Sequence, residues 1–282
     1  MTATLHTTAL TTPTTPRPRF SDLLAAEWLK LWSLRATRWA FPATALIIVG
    51  IGVNGALADY RNFPQYPEGI RENFVPTWAL RDAFPLASAM VLMLIVGTLG
   101  ALSVVNEYAS GLIRTTTAAV PARRSLLAAK ALVMTGVTAV FGVAVVAASF
   151  AVTQAILSGR NVGLSFGDPE VLASLAASAA LAPMSALVGL GLGVLLRHGA
   201  ATVAVTALVL VLLPSFVGQE EAWTAAIKFA LPLNAWQNLA TVAPLHVPPP
   251  HTPSLTHSWV VLAVWPLLAT AVALALVRRR DL

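Results

Sequence analysis

The sequence predicts an all-α integral membrane protein, with six transmembrane helices behind an N-terminal interfacial helix. Three observations lead there. Of the 282 residues, 57% are hydrophobic and only 11% are charged, whereas soluble domains carry about 25% charge. Six apolar runs, at about 39–58, 83–105, 131–157, 171–196, 200–217 and 258–277, contain no Asp, Glu, Lys or Arg. A hydrocarbon core is crossed by about 20 residues of helix. Between the runs, the density of basic residues alternates from one connecting segment to the next.

Taken in order, residues 1 to 16 hold eight threonines and two prolines, too little apolar mass to order themselves, so 1–19 reads as a disordered tail. The transmembrane domain occupies 20–282. Its first part, 20–38, reads FSDLLAAEWLKLWSLRATR, with Leu24, Trp28 and Leu31 near one helical stripe and Glu27, Lys30, Arg35 and Arg38 around it. That pattern predicts an interfacial helix, and Trp28, Trp32 and Trp39 suit the headgroup level. The run at 131–157 exceeds what a bilayer needs and should tilt or project. Pro183 and Pro214 should kink the fourth and fifth spans. Gly189, Gly191 and Gly193 have neither the basic residue nor the strand-to-helix context of a nucleotide loop, so they predict close helix packing.

Orientation follows from the basic residues. The N-terminus, 106–130, residue 197 and the C-terminus together hold 13 of the 18 Lys and Arg, and the opposite segments hold five. The basic set is expected on the cytoplasmic side, with both termini there. Topology thus accounts for the net charge of +6 without a nucleic-acid partner. Ala56-Leu57-Ala58 resembles a signal-peptidase site, but the apolar run before it is too long and too far from the N-terminus, so an uncleaved first helix is expected.

The residues needed for catalysis are missing. The sequence has no HExxH, no GxSxG, no paired intramembrane carboxylates and no cysteine, which removes the common hydrolytic and thiolate chemistries. His246, His251 and His257 lie in a proline-rich outer loop and read as solvated residues, not metal ligands. The spans offer only Asn54, Gln154 and scattered Ser and Thr, whose expected role is hydrogen bonding between helices. Ion coupling through an intramembrane carboxylate is therefore disfavoured. Without GxxxxGK[ST], the chain does not bind ATP by that route either.

Polar residues gather between the second and third spans, from Asn106 and Glu107 through Gly111 and Arg114 to Pro121, Arg123, Arg124 and Lys130. An ordinary positive-inside loop explains the basic residues. It does not require Glu107 at the membrane boundary or Gly111 four residues on. A short helix broken by Gly111 and Pro121 would present Glu107 and Arg114 to a docking partner.

Here the sequence resembles the permease subunits of ABC-2 type exporters, in particular the short six-helix bacterial kind. EWLKLWSLRATRW (27–39) resembles the family's helix before the first span. NEYASGLIRTTTAAVPARRSLLAAKAL (106–132) resembles its EY-x-x-G-x-I-R-T-T-x-A-A-V-P loop and the basic run behind it, with departures at Ala109 and Leu112. The terminal VRRRDL is similar to the family's ending. The resemblance implies a bacterial plasma-membrane subunit that forms half of a substrate path with a second permease subunit, identical or not. ATP and Mg would sit on a separate ABC ATPase, leaving none in this chain. By position, Glu107, Gly111, Arg114, Arg123 and Arg124 would couple to that ATPase, aided by Glu27, Trp28, Lys30 and Arg35 of the interfacial helix. The stretch 218–257 would form a short outer helix or re-entrant cap. A non-transporting anchor or sensor subunit that recruits a cytoplasmic partner is the alternative.

Overall fold

The computed structural model describes residues 19–111, 123–167, 169–241 and 251–279, and every regular element among them is helical. Residues 1–18 of the expected tail, Arg114, Pro121, His246 and the last three residues lie outside the described residues. The helices are α1 (Phe20–Ser33), α2 (Arg35–Asn62), α3 (Glu68–Glu72), α4 (Ala79–Ala83), α5 (Leu86–Ala109), α6 (Arg123–Ser158), α7 (Pro169–Leu196), α8 (Gly199–Phe216), α9 (Ala222–Phe229), α10 (Pro232–Ala240) and α11 (Leu255–Arg279). Six of them, α2, α5, α6, α7, α8 and α11, are long and apolar enough to cross a membrane. This is the architecture of a multi-pass membrane protein.

The helices overrun the apolar stretches that announce them. The run at 131–157 sits inside the 36-residue α6, which at 1.5 Å per residue is about 54 Å long, so its first turns extend past a core of about 30 Å. The helix expected over 20–38 ends at Ser33 instead. Leu34 is extended (φ −77°, ψ 121°) and interrupts the hydrogen-bond ladder, so Arg35 to Arg38 begin α2. Neither Gly nor Pro stands there, and local sequence carries no stop signal. Pro42, Pro183 and Pro266 lie inside α2, α7 and α11 without ending them. In α8, a wider π-type turn over Leu208–Leu212 comes just before Pro214, the usual accompaniment of a helix whose ladder is disturbed. Among its described residues, the segment 218–257 contains the short helices α9 and α10, and Asn234 of α10 donates to the carbonyls of Pro214 and Lys228.

α7 is the centre of the bundle. Its apolar window is 61% buried, against 11% for α11, and it packs on α5, α6, α8, α10 and α11. Small residues make this possible. A methyl group at Gly100 would run into the carbonyl of Ala186, and one at Gly189 into the carbonyl of Gly97. Gly191 faces Ala269 of α11, Gly193 faces the carbonyl of Ala101, and Gly142 of α6 faces that of Ala179. The three glycines of α7 thus serve as close-packing positions.

Buried polar side chains mostly bond to backbone. Ser149 donates to the carbonyl of Ala83 at 2.6 Å, and Gln154 donates to that of Ala79 at 2.8 Å while accepting from the amide of Leu164. Asn54 departs from expectation. Its side chain is exposed on α2 and hydrogen-bonds no other described residue. The α2 and α6 ends meet where Arg160 Nε donates to the carbonyl of Tyr60 at 3.0 Å with its guanidinium over the Tyr60 ring. Nearby, Tyr66 donates to Asp59 at 2.7 Å, and that hydrogen bond to a carboxylate holds the phenol protonated up to about 12.

The seam between α5 and α7 should tolerate no added carbon. Gly100→Ala is expected to lower the thermal midpoint of the detergent-solubilised protein, because overpacking a dense contact costs about 1–3 kcal/mol. Gly136→Ala, in open space on α6, is expected to be neutral or to gain up to about 1 kcal/mol. Equal melting of the two variants would contradict this account of the seam.

Candidate functional site

Four charged side chains from three helices meet at the end of the bundle where α5 stops and α6 starts. Glu27 belongs to α1, where the buried residues are Leu23, Glu27 and Leu31. These are spaced four apart and define one face of the helix. This face differs from the expected stripe of Leu24, Trp28 and Leu31. Trp28 is half exposed, whereas Glu27, expected beside the stripe, is only 3% exposed at its centre.

A carboxylate so placed must be compensated, since burying a lone charge costs several kcal/mol or more. Lys130, itself buried in α6, donates to Glu27 Oε2 at 2.5 Å. Lys30, one turn along α1, donates to Glu27 Oε1 at 2.7 Å. Both lysines also donate to the same oxygen of Glu107 on α5, Lys130 at 3.0 Å and Lys30 at 3.1 Å. The result is a closed ring of alternating charge with no net charge, joining α1, α5 and α6. Exposure rises around it, with side chains 2% exposed at Glu27, 9% at Lys130, 15% at Glu107 and 31% at Lys30. Burial opposes the Lys30 ammonium, but the hydrogen bond to Glu27 and the charges of Glu107 and Glu27 outweigh it, so its pKa lies above the ordinary 10.5.

A cavity of about 410 Å³ adjoins the ring, with walls that include Leu34, Leu99, Leu102, Val133 and Met134. Aromatic rings brace the bend beside it. Trp28 and Trp32 lie 5.7 Å apart, Trp32 and Phe41 5.9 Å, and Phe41 and Phe141 of α6 4.8 Å. Ser33 Oγ donates to the carbonyl of Lys30 at 2.8 Å, closing the last turn of α1.

The other expected residues are distributed around this centre. Gly111 has φ +69° just after α5, a left-handed position that glycine adopts without strain and that commonly ends a helix. Arg123 and Arg124 open α6, half-buried and exposed respectively, and Arg35 is exposed at the start of α2. None of these three joins the ring. Arg197, after α7, lays its guanidinium over the Tyr108 ring at 4.8 Å, which brings a further cation to the same end of the bundle. Lys130 is the essential member that the sequence reading left among the loop's basic residues. Its signal was present, because a lone lysine inside LLAAKALVM needs a buried acid.

The ring ties three helices together, with each of its four charges paired to two others. Among the described residues, no three His, Asp or Glu side chains gather as metal ligands. No family model matches the chain, and no curated protein matches it.

Removing one member of the ring should cost more than an exposed ion pair would. Lys130→Met leaves Glu27 with Lys30 alone and is expected to destabilise the protein by about 3–5 kcal/mol, read as a fall in thermal midpoint. Lys30→Met should cost less, because Lys30 is partly solvated. A group with a raised folded pKa stabilises fully below its unfolded value and loses that stabilisation as pH rises through the folded one. The gap in midpoint between wild type and Lys30→Met should therefore stay constant up to the ordinary lysine value of 10.5 and close only above it.

Proposed function

We propose that this chain is the membrane-spanning permease subunit of an ATP-driven ABC-2 type exporter in a bacterial plasma membrane, with both termini cytoplasmic. The observation that carries the reading is the charge ring. It fastens α1 to the two helices that flank residues 112–122, the segment of the family-like loop. A push on that segment by an ATPase would reach α1 through Glu107 and Lys130, and α2 through the short bend at Leu34. The spans would then tilt between inward- and outward-facing arrangements. The absence of charged residues from the apolar runs supports an energy source on another chain, where ATP and Mg would bind.

A second permease subunit has its own support. Asn54 lies on the exposed side of α2 near Gly50, where added atoms would meet open space. A polar side chain facing lipid is costly, and a neighbouring helix could take its hydrogen bonds. The substrate path would run between two such halves.

Affinity purification of the tagged chain from its native membrane is expected to bring down a Walker-A ATPase, and purification without one would overturn the reading. In proteoliposomes of that complex, Glu107→Lys should abolish ATP-dependent transport with insertion unchanged. A paired variant separates coupling from mere attachment. Replacing Glu27 and Lys130 together with Met should recover stability, because apolar substitutes for a buried ion pair are often neutral or better. Transport should remain impaired. Full transport by the paired variant would reduce the ring to a structural clamp.

A further inference from the structure

The opposite end of the bundle, about 30 Å along α5 from the charge ring, holds a second cavity of about 310 Å³. Its apolar walls include Leu80, Phe84, Leu175 and Trp236, each less than a tenth exposed. Phe84 and Trp236 meet edge to face at 5.8 Å. The indole N–H of Trp236 is already committed to Ser178 Oγ at 2.9 Å, so this wall offers aromatic surface and no free donor.

Polar groups sit at the margin. Among the described residues, Arg81 is the one charged residue lining the cavity. Its guanidinium lies over the Trp78 ring at 5.2 Å and is attracted by Asp82 next to it, but makes no hydrogen bond or ion pair within reach of any described residue. The half-buried Gln237 also lines the cavity, and its side-chain amide has no partner among the described residues. Cavity volumes of about 300–1,000 Å³ hold small ligands, with polar groups fixing orientation against apolar walls.

We propose that this cavity binds a small amphiphilic anion, its apolar ring against Phe84 and Trp236 and its carboxylate on Arg81. A planar guanidinium with unspent donors matches a carboxylate in two parallel hydrogen bonds. The volume lies at the low end of ligand pockets and admits a ring or short chain in place of a two-chain phospholipid. The site is built from one chain and does not depend on the transport reading.

Binding is measured on the full chain in phosphatidylcholine nanodiscs, as quenching of tryptophan emission by 6-bromo-2-naphthoate and by its uncharged amide, with partition into empty discs subtracted. The naphthoate should saturate and bind at least roughly tenfold tighter than the amide, in line with the strength of a charge-assisted hydrogen bond. Arg81→Gln should erase that preference while leaving the amide unchanged. Ala240→Phe, which fills the cavity, should weaken both. No saturable quenching by the wild type, equal affinity for the two probes, or an undiminished preference in Arg81→Gln would each overturn the proposal. Displacement of the naphthoate by phosphatidylglycerol placed in the disc would assign the cavity to lipid and overturn it as well.

Discussion

In lipid, an apolar side chain gains nothing by leaving its solvent, so the helices of this protein are held by how closely their backbones approach. The seam between α5 and α7 is where that constraint is strictest. Gly97 and Gly189 meet carbonyl to Cα, as do Ala186 and Gly100, and no side chain could stand between them. α7 repeats the device toward α11 with Gly191 and toward α6 through the contact of Ala179 with Gly142. The other packed spans are therefore positioned relative to one small-residue helix. The seam also explains why α7 is so deeply buried although its sequence is no more polar or patterned than that of its neighbours.

The charge ring depends on this seam. Glu107 follows Ala101 along α5 by fewer than two turns, and Lys130 precedes Gly142 along α6 by about three. The distance between them is thus set by helices that cannot slide without backbone collisions. Only then can α1 be captured. It lies against α6 more extensively than against α2, its neighbour in sequence, because Glu27 must reach Lys130. The break at Leu34 follows from the same demand, since α1 is positioned by its partner in α6 and not by continuity with α2. The order of dependence runs from glycine packing, to fixed charges, to the position of α1.

Much of this was legible in the residues. Hydropathy located the six spans, because the requirement that buried backbone be satisfied makes a long apolar run a helix. The spacing of Gly189, Gly191 and Gly193 announced close contacts, whereas Glu107, expected on a short separate helix broken by Gly111, lies on α5, which runs unbroken to Ala109. The rest depends on tertiary partners. Nothing in FSDLLAAEWLKLW tells whether Glu27 faces water or protein until Lys130, 103 residues away, is placed against it. An amphipathic stripe drawn from Leu24, Trp28 and Leu31 ignores that a carboxylate can occupy the packed face once it is paired. Asn54 shows the converse limit. A polar residue in a span suggested an internal hydrogen bond, yet α2 turns it outward. Helix ends were less legible again, since α6 starts at Arg123, about two turns before its apolar run begins.

Why charges should hold α1 is a separate physical question, because an apolar contact of similar volume could bind it as well or better. The answer lies in the ring's connectivity. Each lysine is shared by two carboxylates, so a shift of α1 that separates Lys30 from Glu107 leaves Lys30 on Glu27 and Glu107 on Lys130. No charge is stranded. An apolar interface shifted by the same amount would open a void and lose contact energy with nothing in exchange. A dry core is bistable at best, whereas an alternating ring beside a cavity of about 410 Å³ can exchange partners in steps. Attachment of this kind lets α1 shift while each of its charges keeps a partner.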